Sequence, residues 1–353
     1  MVGCLAAVVL GLAYMIAERG NSAPTLTPVV RKPPVSAKVG EPTVLGNGRA
    51  SMASGGSTGL WVTRQSSRGA PGRLIRLRLP IGAPDKPLPL DLRPYGVAVG
   101  NGSVWVVGTG RHSPGAVLER IDPGTGRVKA RTMLAEPPAC VAHSFAGCTP
   151  IVTPRGVWVP LADQVVRVTP SGTMADRTVP LDGHLWDMAS DGKGAIWAIA
   201  ELGLYRIDER TGDRQRWSIK QQLDGLQAGH IAVDDKALWI SAFARTGSDA
   251  PGRLIHVVPG TAPVIPKDQE RIFPGAGSLA LVGGGLWLER YDGQGELDRL
   301  NQLTGELSGP FKAVPDDVIQ IVPRNGNLWI LSYRPSGNKR TVAEVVLKPT
   351  ASG

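Results

Sequence analysis

The chain has 353 residues with 45 glycines and 30 prolines, and its lysines and arginines exceed its aspartates and glutamates by 39 to 30. So much glycine and proline is typical of an all-β protein built from short strands and tight turns. The net charge of +9 is scattered, with no dense basic run, which argues against nucleic acid as a partner.

The chain begins with an apolar segment. Residues 2–17 carry no charge, and as a helix they would reach about 24 Å, slightly less than a bilayer core of about 30 Å. A signal peptide has a basic stretch before its apolar segment, and residues 2–17 have no such stretch before them. We expect residues 1–17 to be a transmembrane anchor or signal segment. The protein would then be attached to the cell membrane through residues 2–17, with the rest on the extracytoplasmic side.

The cations that follow this segment, from Arg19 to Lys38, conflict with the positive-inside rule. A cytoplasmic portion upstream, or a misplaced start, would remove that conflict. Residues 18–40 are rich in proline and lack an apolar period, so we expect an extended linker that holds a domain away from the membrane. Residues 41–348 form that domain, and residues 349–353 are a short tail.

A repeat runs through residues 41–348. Seven times a tryptophan stands within a short apolar stretch, at intervals of 39 to 53 residues. These tryptophans are Trp61, Trp105, Trp158, Trp197, Trp239, Trp287 and Trp329. One large aromatic residue per unit of this length predicts a seven-bladed β-propeller. We expect the tryptophans to fill the wedges between blades rather than to bind ligands.

The second repeat shows the predicted blade. Strands are expected at Tyr95–Val99, Ser103–Val107, Val117–Ile121 and Arg127–Met133, with glycine-containing turns between them. Each blade is therefore predicted to be a four-stranded antiparallel sheet. The last repeat supplies only three strands before the chain ends. We expect residues 41–46 to add the missing outer strand and so to close the ring.

Two cysteines with seven residues between them lie in a loop-like segment of the third repeat. In an exported domain, Cys140 and Cys148 are expected to form a disulfide. Two unrelated buried thiols remain the alternative.

Four stretches carry a resemblance to a known family. They are GLWVTR from Gly59, GSVWVV from Gly102, LERIDPGTGRV from Leu118 and AIWAIAELGLYRIDERTG from Ala195. Over about residues 41–348 the chain resembles the bacterial seven-bladed propellers that include virginiamycin B lyase, together with NHL-type and quinoprotein-like repeat propellers. The resemblance implies the fold and leaves a lyase and a binding module both open. Separately, an anchor, a proline-rich spacer and a propeller resemble the extracytoplasmic half of actinobacterial receptor-type serine/threonine kinases. That resemblance implies a sensor role, although no kinase motif is present.

In such a propeller the loops after the second strands and the crossovers between blades share one face, which we call the variable face. Its long loops are where functional residues are expected to concentrate. The candidate ligand-binding residues are Arg64, Arg111, His112, His184, Trp186, Arg245, Arg290, Tyr291 and Arg334. Arginines that converge near the axis predict a polar or anionic small ligand, a glycan or a protein as the partner. We expect the protein itself to be a monomer. Solvated surface arginines are the plain alternative.

The lyases of the resembled family use histidine and glutamate around a divalent ion to abstract a proton. The resemblance implies a glutamate shortly after a blade tryptophan and a histidine two residues beyond it. Here Glu289 follows Trp287, but residue 291 is tyrosine. His230 remains as a candidate general base and Glu289 as a candidate metal ligand, with Mg²⁺ as the implied cofactor. Because the motif is incomplete, the leading expectation is a binding module without a cofactor, and a lyase is the alternative.

Overall fold

The structure is a computed structural model, which describes residues 35–54, 59–65, 71–78, 84–110, 115–142, 147–201, 203–243, 252–259, 271–273, 276–290, 295–302, 306–312, 317–334 and 339–349. Within these ranges the strands form seven antiparallel sheets, each with four strand positions. The chain is therefore an all-β, seven-bladed propeller.

Blades 1 to 6 each take their strands in chain order, from the innermost to the outermost. The N-terminal strands are β1 Val35–Val39 and β2 Thr43–Asn47. Blades 1 to 3 follow: in blade 1, β3 Ala50–Ser54, β4 Leu60–Arg64, β5 Gly72–Leu77 and β6 Leu88–Leu90; in blade 2, β7 Leu92–Gly100, β8 Ser103–Gly110, β9 Ala116–Ile121 and β10 Val128–Met133; in blade 3, β11 Ile151–Thr153, β12 Gly156–Pro160, β13 Gln164–Val168 and β14 Ala175–Pro180.

The other four blades continue in chain order: in blade 4, β15 Leu185–Ser190, β16 Ala195–Ala200, β17 Gly203–Asp208 and β18 Arg214–Trp217; in blade 5, β19 Gln227–Val233, β20 Leu238–Phe243, β21 Gly252–Val257 and β22 Arg271–Phe273; in blade 6, β23 Ala276–Val282, β24 Gly285–Arg290, β25 Glu296–Asn301 and β26 Leu307–Lys312; and in blade 7, β27 Asp317–Arg324, β28 Asn327–Arg334 and β29 Lys339–Pro349. Two short helices, α1 Ala139–Ala142 and α2 Lys220–Leu223, lie in crossovers.

The N-terminal segment closes the ring. Both β1 and β2 pair antiparallel with the same edge of β29, so together they form the outer strand of blade 7. The backbone N–H of Gly40, between them, donates to the carbonyl of Glu344 at 2.8 Å. The pairing starts at Val35, earlier than the expected segment 41–46, because β29 runs to Pro349 and offers a longer edge.

The short hairpins follow from glycine and asparagine. Asn101 and Gly102 both have positive φ (50° and 64°), as a two-residue hairpin with type I′ geometry requires. The pair Asn325 and Gly326 repeats that geometry in blade 7. These tight turns bring the first and second strands of a blade into direct register.

The repeated tryptophans are buried between blades. All seven are at most 4% exposed. Trp61 of blade 1 packs with Leu92 and Val97 of blade 2, and Trp329 of blade 7 packs with Met52 and Leu60 of blade 1. Each tryptophan therefore belongs to the layer between its own blade and the next.

Residues 2–17, the predicted anchor, lie outside the described ranges. In the part of the chain that the structure describes, no helix is long and apolar enough to cross a bilayer.

Candidate functional site

A recurring position, polar in six of the seven blades, lies in or just before the innermost strand. It lies nine or ten residues before each repeated tryptophan, near the start of the first strand of each blade, on the variable face. We call these seven residues the axial belt: Ser51, Gly96, Thr149, Asp187, His230, Ser278 and Gln320. In five of the first strands the register shifts at or beside this position, which is the sign of a β-bulge. A bulge turns a side chain away from the regular pleat, so it can aim this residue at a neighbouring blade.

Side chains of the belt link neighbouring blades. Asp187 Oδ2 accepts the backbone N–H of Ile231 at 3.2 Å, and Ser278 Oγ accepts that of Ile321 at 3.1 Å. Each acceptor binds the residue that directly follows the belt position of the next blade. These links satisfy backbone donors that the bulges leave without a ladder partner.

Gln320 makes the same link across the seam between blades 7 and 1. Its Oε1 accepts the N–H of Met52 at 2.8 Å, and its Nε2 donates to the carbonyl of Met52 at 2.9 Å. The belt therefore also contributes to ring closure.

Residues two positions after the tryptophan support the belt from the second strand. Ser241 Oγ accepts the N–H of His230 at 2.9 Å, and Glu289 Oε2 accepts the N–H of Ser278 at 3.1 Å. Glu289 is only 7% exposed, and a Cβ on Gly277 would lie 2.2 Å from its Oε2. A glycine at 277 is therefore what allows the carboxylate to reach the backbone.

His230 and Asp187 form a pair across blades 4 and 5. The His230 Nδ1 lies 3.3 Å from Asp187 Oδ2, and the histidine side chain is 31% exposed. Burial by itself opposes the charged imidazolium, but the hydrogen bond that Asp187 accepts from the ring and the charges of Asp187 and Glu289 raise the pKa of His230 above its ordinary value. The two carboxylates therefore stabilise the charged form of His230.

His230 lies on blade 5 and Glu289 on blade 6, so these two candidate catalytic residues are on adjacent blades. Arg64 instead donates from Nη1 to the carbonyl of Leu45, which holds its guanidinium at the seam between blades 7 and 1. Arg290 pairs with Asp298 at 2.9 Å within its own blade. These two arginines do not converge on the axis, because each has an acceptor on a strand farther out.

Two of the remaining candidates contact each other, and the others are not described. His184 and Trp186 stack edge to face at 5.0 Å, and Trp186 is 7% exposed, so this tryptophan is largely part of the core. Arg111, His112, Arg245 and Tyr291, and the side chain of Arg334, lie outside the described residues.

Cys140 and Cys148 are joined by a disulfide, with their Cα atoms 5.5 Å apart. Both are buried next to blade 4, in a cluster that includes Leu185. The carbonyl of Cys148 also lies against Gly96, where an added Cβ would come within 1.9 Å of it. Gly96 is the belt position of blade 2, so this close approach explains why the belt carries no side chain there.

Seven belt residues and supports are absent from the sequence-based candidates: Ser51, Gly96, Thr149, Asp187, Ser241, Ser278 and Gln320. Six of them share with His230 a position nine or ten residues before a blade tryptophan, and this spacing is the signal that identifies them.

Among the described residues, no three histidine, cysteine, aspartate or glutamate side chains are grouped so that they could hold a metal ion. Glu289 Oε2 and Asp187 Oδ2 already accept backbone N–H groups. This part of the belt does not fit a divalent cation.

No protein-family model matches the chain, and no curated protein matches it in sequence. Solved structures do match its fold. The β-propeller domain of Cps50 (Swd1) from Myceliophteria thermophila has a TM-score of 0.63 at 11% identity, covering 88% of this chain and all of that one. Hydrazine synthase from Kuenenia stuttgartiensis has a TM-score of 0.62 at 10% identity, covering 95% of this chain and all of that one. At such low sequence identity these similarities concern the fold alone. Together with the seven sheets, they establish that the chain is a seven-bladed β-propeller.

Proposed function

We propose that this protein is a membrane-tethered, extracytoplasmic binding module that takes a hydroxyl-rich polar ligand, of the glycan class, at the axial belt without turning it over. One observation carries the proposal: the exposed edge of His230, held by Asp187, stands among oxygen acceptors on the variable face. Imidazole, carboxylate and hydroxyl groups together offer both donors and acceptors, which is what a sugar hydroxyl needs. β-Propellers are scaffolds whose function lies in such grafted sites.

Binding is favoured over catalysis by the structural partners of His230 and Glu289. The His230 Nδ1 lies 3.3 Å from Asp187 Oδ2, and the backbone N–H of His230 donates to Ser241 Oγ. Glu289 is committed to the backbone of Ser278 and buried. Both candidate catalytic groups therefore have structural partners that explain their positions.

The disulfide supports an extracytoplasmic placement, because such bonds persist in oxidising compartments. The apolar residues 2–17 support the tether. Protease treatment of intact cells tests both: the propeller should be digested from outside, and its protection until lysis would contradict this placement.

The binding role is tested by screening the purified chain against soluble glycans with calorimetry. For a glycan that binds, His230→Gln and Asp187→Asn should each lower the affinity at least tenfold, equivalent to about 1.4 kcal/mol. Lys193→Gln is the matched control, since Lys193 is 65% exposed on a hairpin turn of blade 4, at the other face. The proposal fails if no glycan binds, or if the control loses as much affinity as the belt variants.

The lyase alternative is favoured by the Asp187–His230 pair, because a carboxylate can orient a catalytic imidazole. It would require turnover of a cyclic ester or depsipeptide. Turnover that needs added Mg²⁺ and is abolished by Glu289→Gln would replace the binding proposal, although the described carboxylates do not fit that ion.

A further inference from the structure

We propose that the seam between blades 7 and 1 contains a second site, separate from the axial belt, in which Arg49, Arg64, Arg73 and Arg340 bind a phosphate group. We call these four residues the seam arginines. The site goes beyond the proposed binding at the belt, and its ligand is an anion rather than a glycan.

Strand pairing brings the seam arginines together. Arg64 at the end of β4 is directly opposite Arg73 at the start of β5. Arg340 in β29 is opposite Gly46 in β2. The carbonyl of Arg49, in the crossover from β2 to β3, accepts the N–H of Gln65 at 2.7 Å. Three chain segments therefore contribute guanidinium groups to one edge of the seam.

The crossover is shaped to pass close over Arg64. Gly46 has φ of +93°, and a Cβ there would lie 2.2 Å from Arg64 Nη1. Gly48 has φ of +102°, and a Cβ there would lie 2.0 Å from the carbonyl of Gln65. Only glycine combines this backbone conformation with this space. Arg64 is thus held in a fixed position rather than left to move in solvent.

No carboxylate neutralises the seam arginines among the described residues. Arg131, Arg167 and Arg290 each form an ion pair with an acid, but none of the four does. Buried nitrogens without a hydrogen-bond partner in the described chain remain on Arg64 (Nε) and on Arg340 (Nε and Nη1). Burial of such donors is costly unless an acceptor is supplied.

The electrostatics point in the same direction. Burial, and then the charge of Arg73, lower the pKa of Arg64. Burial also lowers the pKa of Arg340, and the charge of Arg49 lowers it further. Tyr333, whose ring lies 3.9 Å from the guanidinium carbon of Arg340, has the opposite effect and raises that pKa. Like charges crowded in a partly buried place are stabilised by a bound anion. Several forked guanidinium donors suit the oxygens of a phosphate group.

The first experiment measures binding of inorganic phosphate to the full chain by calorimetry at low ionic strength, with chloride at equal ionic strength as the reference. Arg73→Gln and Arg49→Gln remove exposed seam cations with little risk to folding, and each should weaken phosphate binding at least tenfold. Arg155→Gln, an exposed turn residue on the other face, makes the same charge change and should leave binding unaltered. No binding beyond that of chloride, or equal loss in Arg155→Gln, overturns the site.

The second arm separates two sources of the phosphate. Wild type and Arg73→Gln are compared on vesicles of phosphatidylcholine with and without phosphatidylglycerol. A preference for anionic vesicles that Arg73→Gln loses assigns a lipid headgroup as the source. Equal vesicle binding, together with weaker binding of inorganic phosphate by the variant, assigns a soluble phosphate compound. Both results support the seam site, and neither depends on whether the belt binds a glycan.

Discussion

Leu45→Ala tests whether the N-terminal strand stabilises the closed ring. Leu45 in β2 is 5% exposed and packs with Met52, Trp329 and Val342, which belong to both blades at the seam. Its neighbour Val44 points to solvent and is 54% exposed. Because both residues lie on β2, a comparison of their alanine variants separates the effect of packing at the seam from an effect on the strand itself.

The expected loss follows from the size of the buried group. Leu45→Ala removes three carbon groups at about 0.8 kcal/mol each, or about 2.4 kcal/mol of transfer free energy. An unfilled cavity raises the cost further, so the free energy of unfolding should fall by about 2.5–4 kcal/mol. Val44→Ala should change it by less than about 0.5 kcal/mol, since an exposed side chain loses little.

Urea denaturation followed by tryptophan fluorescence measures both variants against wild type. Equal effects of Leu45→Ala and Val44→Ala would refute the reasoning, because the seam would then not depend on the buried face of β2. Concentration-dependent association of Leu45→Ala would instead extend the reasoning, since an opened β29 edge can pair with another chain.

Three further predictions concern the core, the disulfide and the belt. Trp158→Ala should lower the free energy of unfolding by about 3–5 kcal/mol, since this residue is fully buried, and a loss below 1 kcal/mol would contradict its core role. Replacing Cys140 and Cys148 together by alanine should cost about 2.5 kcal/mol from the small loop they close, and reducing agent should destabilise wild type but not the double variant. Because the pKa of His230 is raised in the folded protein, its charge contributes stability below about pH 6.5, and that contribution is lost as pH rises through the folded pKa. The stability gap between wild type and His230→Gln should therefore narrow from pH 6 to pH 9, and a gap that stays constant would refute the charged pair.

The propeller itself could be predicted because its signals are local and repeated. Trp105 and the turn at Asn101 and Gly102 recur in similar form along the chain, and each copy indicates the same strand pair. Closure by the N-terminal strand also followed from counting strands, although β1 could not be foreseen within a proline-rich segment. Its formation depends on the length of β29, a partner more than 300 residues away in sequence.

The site could be predicted only in part, because it depends on contacts between blades. His230 was identifiable by residue type, but Asp187 is a partner from another blade, and no local pattern relates the two. Arg64 was assigned to the axis since it follows a second strand, whereas the carbonyl of Leu45 holds it at the seam. Local sequence predicts on which face a side chain emerges, and the acceptors of neighbouring blades decide where it points.

The two proposed sites use the variable face in different ways, and the difference follows from how the ring is built. In the belt, Asp187, Ser278 and Gln320 each satisfy a backbone donor of the next blade, so the polar groups there are largely paired with protein. At the seam, the outer strand comes from the other end of the chain and brings Arg340 and Arg64 together without an acid. A ligand at the belt must therefore compete with existing hydrogen bonds, whereas an anion at the seam supplies missing ones. Because the seam arginines are crowded only when the ring is closed, bound phosphate should favour the folded protein over the unfolded chain.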